Sequence, residues 1–580
     1  MFKLQHWLPI LAIFFIISSQ ATAQTDIVVE IIGVDGELAS NVRLFLSIEQ
    51  QKTHPLMSEG RLQRLHKKAP KEIIQALQPY GYYKPEIGSV LIQSDGGKWR
   101  ARYTIDPGPV IPLAAFDFRV SGEMQEDAVF LSFMAKPPLR RGQAFNHLKY
   151  EAIKTGIAKI AAERGYFNGH FSVHRVVVDL DVYEVRVQLH YDSGPRYYFG
   201  AVSLQQDVLA TDLLRRYIPF ESGAPYTLVD LIDLQQALNN SDYFDVVEVF
   251  PGELRPDSRE VPVNVSLTPR KRHHYTLGLG YGTDTGARAK LGWEMPRLNS
   301  QGHRLDTEIK LSQIGRGIFA HYRVPVLNPR TDQMVYTAGA VNEKTDTHES
   351  TVHTVGVTLN HGRGPWRESF SLNYQREEFT VADEQGRSTL LMPGVSWTRT
   401  WGKGFVRTLD GIRFDIAVRG ANEHLVSDAD FVQIQGGLKG ITSLGSRSRL
   451  IARGRLGSTM TPEFHQLPSS VRFFAGGSQS VRGYAYQSLG PLNDEGQVVG
   501  GQHLMTGSLE FEHKINGKWS AAMFYDAGNA IDDMADKLAW GAGLGVRWQS
   551  PVGAVRFDLA SALSQEGRPW RVHINIGPDL

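Results

Sequence analysis

The chain has 580 residues, 62 Lys and Arg against 61 Asp and Glu, and no Cys. A net charge of +1 carries no polyanion signal, so nucleic acid is not an expected partner. The missing thiol excludes disulfides, thiol nucleophiles and Cys-ligated metals, and the length predicts several domains.

The N-terminus has Lys3, an apolar run from Trp7 to Ile17, and then Ser18, Ser19, Gln20 and Ala21-Thr22-Ala23. A positive start, a short hydrophobic core and a small-x-small end predict a secretory signal peptide over residues 1–23, cut after Ala23 to leave Gln24 first. The run is short of the ~20 residues a spanning helix needs. No Cys follows it, so a lipoprotein signal is excluded. No other apolar run suits a membrane helix. Barrel strands carry a much weaker hydropathy signal, so a transmembrane β-barrel remains open.

From Gln24 to Thr268 the pattern is mixed α and β. "DIVVEIIG" (26–33) predicts a strand. "ASNVRLFLSIEQ" places Val42, Phe45, Leu46 and Ile48 at helical spacing. "PKEIIQALQPYGYY" predicts a helix starting at Pro70 and ending at Gly81. Two further strands are expected in "EIGSVLIQ" and "WRARYTID". The unit then repeats. Gly81-Tyr82-Tyr83 returns as Gly165-Tyr166-Phe167 and as Asp242-Tyr243-Phe244, each after an amphipathic stretch ("IIQALQPY", "GIAKIAAER", "LIDLQQALNNS"). Strand-like runs such as "FSVHRVVVDL" and "YEVRVQLHYD" follow. The closing turn Asp106-Pro107-Gly108-Pro109 returns as Asp192-Ser193-Gly194-Pro195. The spacing, about 75–85 residues, exceeds that of the common solenoid repeats. Three small α+β domains of β-α-α-β-β type are expected, over 24–108, 109–193 and 194–268.

Beyond Pro269, over residues 269–580, alternation with period two takes over. "RLDTEIKLSQ" sets Leu305, Thr307, Ile309 and Leu311 opposite Arg304, Asp306, Glu308 and Lys310. "GIRFDIAVRG", "AWGAGLGVRWQS" and "WRVHINIG" follow the same rule. One face is apolar and the other carries both charges, as in a barrel with lipid outside and a wet lumen. Trp397, Trp401, Trp540 and Trp548 suit interfacial girdles. The length predicts an antiparallel transmembrane barrel of ~16 strands, with fourteen or eighteen left open.

"GGSQSVRGYAYQ" (476–487) lies in a long connection, from about Ser458 to Gln502, between two strand-like runs. Long loops inside compact folds are usually functional or disordered. In "SLEFEH", Leu509 and Phe511 on the lipid face put Glu510 and Glu512 inward. In "AAMFYDAGNA", Met523 and Tyr525 outward put Phe524 and Asp526 inward. An inward loop would let Arg482 fork between Glu510 and Asp526. A solvated arginine on an outer loop tip fits the spacing equally well.

Val481-Arg482-Gly483-Tyr484 resembles the Val-Arg-Gly-Phe/Tyr motif of the BamA-like superfamily of outer-membrane assembly and secretion barrels. "FYDAG" (524–528) resembles that family's Phe-x-Asp-x-Gly strand motif. "SLEFEH" and "GAGLGVRWQSPVGAVRFDLASAL" resemble its late strands, and the repeated units resemble its POTRA (polypeptide-transport-associated) domains. The resemblance covers essentially the whole mature chain and rests on the ordered set of motifs. With three such units the chain is most similar to the TamA-type branch; BamA-type members have five and two-partner secretion transporters typically two. The resemblance implies an outer-membrane barrel with its N-terminal domains in the periplasm. It also implies a lumen-loop latch of Val481, Arg482, Gly483 and Tyr484, with barrel-wall partners Glu510, Phe524, Asp526 and Gly528. The implied partner is a TamB-like inner-membrane-anchored periplasmic protein. The implied clients are outer-membrane proteins such as autotransporters, and phospholipid transport to the outer membrane is an alternative. A two-partner secretion transporter for a dedicated exoprotein is the runner-up. The chain departs from the pattern by ending on Leu580, where such barrels usually end on an aromatic residue.

A client strand has unpaired N–H and C=O groups that are costly in hydrocarbon. A seam between the first strand, near "HHYTLGLGYG", and the last, "WRVHINIG", is expected to template it by strand addition in contact with outer-membrane lipid. Its residues are Tyr275, Leu277, Gly278 and Gly280 on one side and Val572, Ile574 and Ile576 on the other. The glycines weaken that edge. No catalytic residue, cofactor or metal is expected. No G-x-S-x-G turn or H-E-x-x-H helix is present, and the adjacent His273 and His274 would face opposite sides of a strand. A passive porin would not need the N-terminal repeats.

Overall fold

The computed structural model describes residues 27–93, 98–403, 408–550 and 553–577. The signal segment, its cut after Ala23 and the terminal Leu580 lie outside the described residues. Before the barrel, the strands form three three-stranded sheets, each in the order first–third–second. In the first, Ile27–Ile32 runs parallel to Trp99–Asp106, which pairs antiparallel with Glu86–Gln93. In the second, Leu113–Ser121 and His170–Asp179 flank Glu184–Asp192 in the same senses. The third uses Tyr198–Gln205, Phe244–Pro251 and Glu260–Pro269. Helices fall between the first and second strands each time, the expected β-α-α-β-β order. The first unit adds a short extra helix, Ser47–Gln51. Each middle strand buries alternate side chains, such as Tyr103 and Ile105, Val187 and Leu189, or Val263 and Val265, as period two requires when one face meets helices.

The helix expected to open at Pro70 instead spans Glu59–Leu77, with Pro70 inside it. Ser58 caps it, its side chain accepting from the Arg61 N–H at 3.3 Å. A mid-helix proline costs about 3 kcal/mol. Leu62, Leu65, Ala69, Ile73 and Ala76 form one buried stripe across it. At ~1.5–3 kcal/mol for each large side chain, that stripe outweighs the lost bond.

The repeated turns have a backbone cause. Gly81 and Gly165 have φ of 90° and 83°, and Asp242 holds the equivalent place at 59°. Only glycine, or a short polar residue such as Asp, adopts that left-handed conformation readily. The closing turns match as well. Asp106 Oδ1 accepts from Gly108 N, and Asp192 Oδ1 from Gly194 N, both at 3.0 Å. In the third unit Tyr243 donates to the Gly302 carbonyl at 2.6 Å and lies under the Arg304 guanidinium, 4.4 Å from its ring centre. Arg330 pairs with Asp233 at 2.6 Å. The third unit's repeat tyrosine thus packs on a turn of the barrel.

The barrel has sixteen strands, each antiparallel to the next, from His274–Gly282 to Trp570–Gly577. Parity separates two solvents. In Trp519–Ile531, Met523 and Tyr525 are 56% and 48% exposed on the outside, while Phe524 and Asp526 are 5% and 0% exposed on the inside. Among the described residues no helix is long and apolar enough to cross a membrane.

The second unit contains a buried carboxylate that the sequence reading did not single out. Asp127 caps the helix Ala128–Met134 by accepting from the Val129 and Phe130 N–H groups at 2.9 and 3.4 Å. It also accepts from Arg164 Nε at 3.0 Å and the Tyr166 hydroxyl at 3.3 Å. Burial pushes this carboxyl up, but the Arg164 hydrogen bond and charge and the helix N–H groups outweigh it, so it lies below the usual range. Its folded pKa is depressed, so its contribution is full above the unfolded value of about 3.9 and is lost as pH falls through the lower folded value. Asp127→Ala should lower the stability of this unit by about 2 kcal/mol at neutral pH. Hydrogen exchange across residues 128–163 should show the loss, and the difference from the native chain should shrink below about pH 4.

Candidate functional site

The connection between strands Ser448–Met460 and His503–Asn516 folds against the inner wall. Gly476, Gly477 and Gly483 have φ of 101°, 95° and 100°, so the chain turns sharply on both sides of Arg482. A guanidinium has five N–H donors in a fixed fork, and here all five have acceptors. Nε and Nη2 reach the two Asp526 oxygens at 2.7 and 2.9 Å. Nη1 reaches Glu510 at 2.7 Å and Asp558 at 3.2 Å. Nη2 also reaches Ser508 Oγ at 3.2 Å. The plane of the cation lies over the Phe524 ring, 3.4 Å from its centre, a favourable cation–π placement. The Arg482 backbone N–H also donates to Asp526, at 3.0 Å. Arg482 is 3% exposed.

The cluster is larger than the expected trio. Asp558 is a third acid. Arg547 is a second cation, with Nη2 on Glu510 at 2.8 Å and Nη1 on Asp558 at 2.6 Å. A trough of glycines makes room for it. A Cβ on Gly541 would meet the Arg482 carbonyl oxygen at 2.0 Å, and one on Gly545 would meet Asp558 at 2.0 Å. The alternating glycines 541, 543 and 545 were the sequence signal for this space, since three inward positions in a row have no side chain. Val481 and Tyr484 bury into an apolar niche with Ala539 and Ala562, and the Tyr484 hydroxyl donates to the Trp540 carbonyl at 3.2 Å. Gly528 belongs to wall packing: a Cβ there would meet the Met505 carbonyl oxygen of the neighbouring strand at 2.5 Å. A second anchor lies upstream in the loop. Arg472 donates to Glu384 at 3.0 Å, and Ser469 donates to the buried Glu377 at 2.6 Å.

The loop also touches both edges of the seam. Gly483 N–H donates to His573 Nε2 on the last strand at 3.0 Å. Ser478 N–H donates to Asp284, in the turn after the first strand, at 2.7 Å. His573 Nδ1 lies 3.6 Å from Asp284. Of the expected seam residues, Tyr275, Leu277, Gly278 and Gly280 pair with Trp293, Leu291, Lys290 and Arg288 of the second strand. Val572, Ile574 and Ile576 pair with Leu559, Phe557 and Val555 of the fifteenth. Among the described residues no backbone ladder joins the first strand to the last. The Ile574 N–H reaches only a side chain there, Thr283 Oγ1, at 3.3 Å.

An Omp85 superfamily domain matches residues 273–579, more than half of the chain. The chain belongs to the Omp85 superfamily. Residues 28–107 match the POTRA domain TamA domain 1. Among curated relatives, the outer membrane protein assembly factor BamA of Neorickettsia risticii is 23% identical over 467 residues, 74% of this chain and 61% of that protein. BamA of Nitratidesulfovibrio vulgaris is 26% identical over 201 residues, 33% of this chain and 25% of that protein. The chain therefore spans less than two thirds of either relative's length. The crystal structure of BamA from Haemophilus ducreyi lacking POTRA domains 1–3 superposes with a TM-score of 0.66 at 17% identity, over 80% of this chain and 99% of that one. It shares the fold. This Omp85 barrel lies in the outer membrane, with its POTRA domains in the periplasm.

Arg482→Ala should strand Asp526 more than Glu510, because Glu510 keeps Arg547. Breaking a buried pair costs about 3–5 kcal/mol, so hydrogen-exchange protection over residues 476–488 should fall by roughly 100-fold or more. Gly541→Ala should produce the same loss with every charge in place. Full protection in both variants would show that the loop is held elsewhere.

Proposed function

We propose that this Omp85 protein is an outer-membrane insertase or translocase subunit that templates client β-strands at the seam between its first and last barrel strands. One observation carries the reading: the sheet runs through sixteen strands and, among the described residues, its two edges meet without a ladder. Unpaired peptide groups in hydrocarbon are costly, so that edge favours a client strand that supplies the missing partners. Gly278 and Gly280 present no side chain to pack there, which lowers the cost of parting the edges.

The inward loop serves as the latch of this seam. Of the Val481, Arg482, Gly483 and Tyr484 latch, Arg482 is held by Glu510, Phe524 and Asp526 on the wall, and Val481 and Tyr484 by the niche at Ala539 and Ala562. Gly483 and Ser478 reach the last strand and the first hairpin respectively. Loop position and seam state therefore share the same bonds. The mechanism involves no covalent chemistry and uses no cofactor. The match to a TamA-type first POTRA domain supports a TamB-like periplasmic partner and clients such as autotransporters.

The absence of native Cys makes a direct test clean. A Thr283→Cys, Ile574→Cys pair, where the Thr283 Oγ1 and Ile574 N atoms are 3.3 Å apart, should form a disulfide under oxidation. Insertion of an autotransporter barrel into liposomes containing the oxidised protein should stop, and a reductant should restore it. Full activity of the crosslinked protein would rule out a moving seam. Co-purification of a TamB-like protein with the native chain supports the proposed branch, whereas a large secreted adhesin in its place would point to two-partner secretion.

A further inference from the structure

Strands Gln333–Lys344, His348–Arg363 and Trp366–Val381 share a groove on the outer face of the barrel, away from the latch and the seam. Parity fixes the face. Tyr374 is 44% exposed, while Gln375 and Glu377 are 8% and 1% exposed, so Arg376 and Glu378 point outward with Tyr374. Register arranges the outer face in rows, continued by the next strand, Glu384–Lys403. Ala340, His353, Arg376 and Thr389 stand opposite one another. The row on one side is apolar: Ala338, Val355, Tyr374 and Leu391. The row on the other is polar: Asn342, Thr351, Glu378 and Arg387. The chain enters the first strand from the periplasmic units and successive strands alternate in direction, so the polar row is the outer one. The apolar belt thus ends at Tyr374, and Arg376 is the first residue above it on its strand.

Beside Arg376 the belt has a gap. Ala338 supplies only a methyl next to Val355 and Tyr374, and a cavity of ≈ 510 Å³ lies there, with His353, Arg376 and Glu378 at its polar end. The neighbouring charges are matched. Glu378 pairs with Arg387, and Lys344 with Glu349 at 2.6 Å. Asp428, beyond Thr389, accepts from the Thr389 N–H at 2.6 Å. Among the described residues no acid lies within ion-pair distance of Arg376. An unmatched cation at the edge of hydrocarbon is costly, so this position favours an anion supplied by the membrane.

We propose that the groove binds a phosphate-bearing acyl lipid of the outer leaflet, its phosphate on Arg376 and one acyl chain over Ala338. The arginine fork matches phosphate oxygens in pairs. The His353 ring and the Thr389 hydroxyl stand beside it in the same row as further donors. Val355 and Tyr374 give the chain an apolar wall. A protein partner is the weaker candidate. The strands that carry His353 and Arg376 are paired along both edges, so they have no free backbone groups for strand addition. The site involves the fifth to eighth strands, not the seam, so it stands or falls separately from strand templating.

The test uses the delipidated full chain in dodecyl maltoside, read by native mass spectrometry. Its probes are dioleoyl phosphatidylglycerol, dioleoylglycerol, which lacks the phosphate, and inorganic phosphate, which lacks the chains. Phosphatidylglycerol should bind ~10-fold more tightly than dioleoylglycerol, and inorganic phosphate at the same concentration should not displace it. Arg376→Gln should weaken phosphatidylglycerol binding ~10-fold. Ala338→Leu, which fills the groove and leaves every charge in place, should weaken it a few-fold. Lys344→Gln, an outer-end cation that does not line the groove, should bind as the native chain does. Heat-modifiable electrophoretic mobility checks that each variant is a folded barrel; if Ala338→Leu fails, Ala338→Val takes its place with the same expectation. The proposal is overturned if dioleoylglycerol binds as tightly, if inorganic phosphate displaces the lipid, or if folded Arg376→Gln or the filled groove keeps native affinity. Equal loss in Lys344→Gln overturns it too, as does a dimer that the filled groove dissociates, which would put a second copy on this face.

Discussion

A peptide N–H or C=O finds no partner in hydrocarbon, and this constraint organises the molecule. It requires every barrel strand to be paired on both sides, and fourteen of the sixteen are. It also requires alternate side chains to suit different solvents, which along Trp519–Ile531 puts Met523 and Tyr525 outside and the Asp526 carboxylate inside. The two remaining edges are the exception. Among the described residues, theirs are the two barrel strands with one edge outside any backbone ladder in the plane of the membrane.

A charged loop inside such a barrel is stable only where its charges are matched. Arg482 meets this by using every donor of its guanidinium. Lysine would keep the charge but offers three donors on a flexible stem, too few for that set of acceptors. The wall contributes as much by absence as by presence, since the glycines of Ala539–Ser550 leave the volume taken by the Arg482 backbone, the Phe524 ring and the Arg547 and Asp558 side chains. Electrostatics and sterics therefore specify the same loop position independently.

The periplasmic units show one backbone solution used three times. The left-handed position at 81, 165 and 242 and the Asp-x-Gly turns at 106 and 192 recur because the β-α-α-β-β path needs the same reversals. Side chains at those turns then diverge. Tyr243 packs on a barrel turn through Gly302 and Arg304, a use the repeat pattern alone does not distinguish from its counterparts Tyr82 and Tyr166.

Periodicity made much of this legible in the chain itself. The strands at 99–106 and 184–192 and the barrel parity follow from period-two burial, a local property with one physical cause. The inward direction of Glu510 and Asp526 followed from the same rule. Pro70 misled because a local helix breaker was read without the buried stripe that carries the helix through it. The sequence determined which residues face water and which face lipid, because neighbouring side chains in a strand necessarily point to opposite sides. Only the tertiary structure decided that the loop turns inward, that Arg547 and Asp558 complete the cluster, and that the first and last strands meet without a ladder. Those depend on distances between strands far apart in the chain, which closure of the barrel sets and local spacing does not encode.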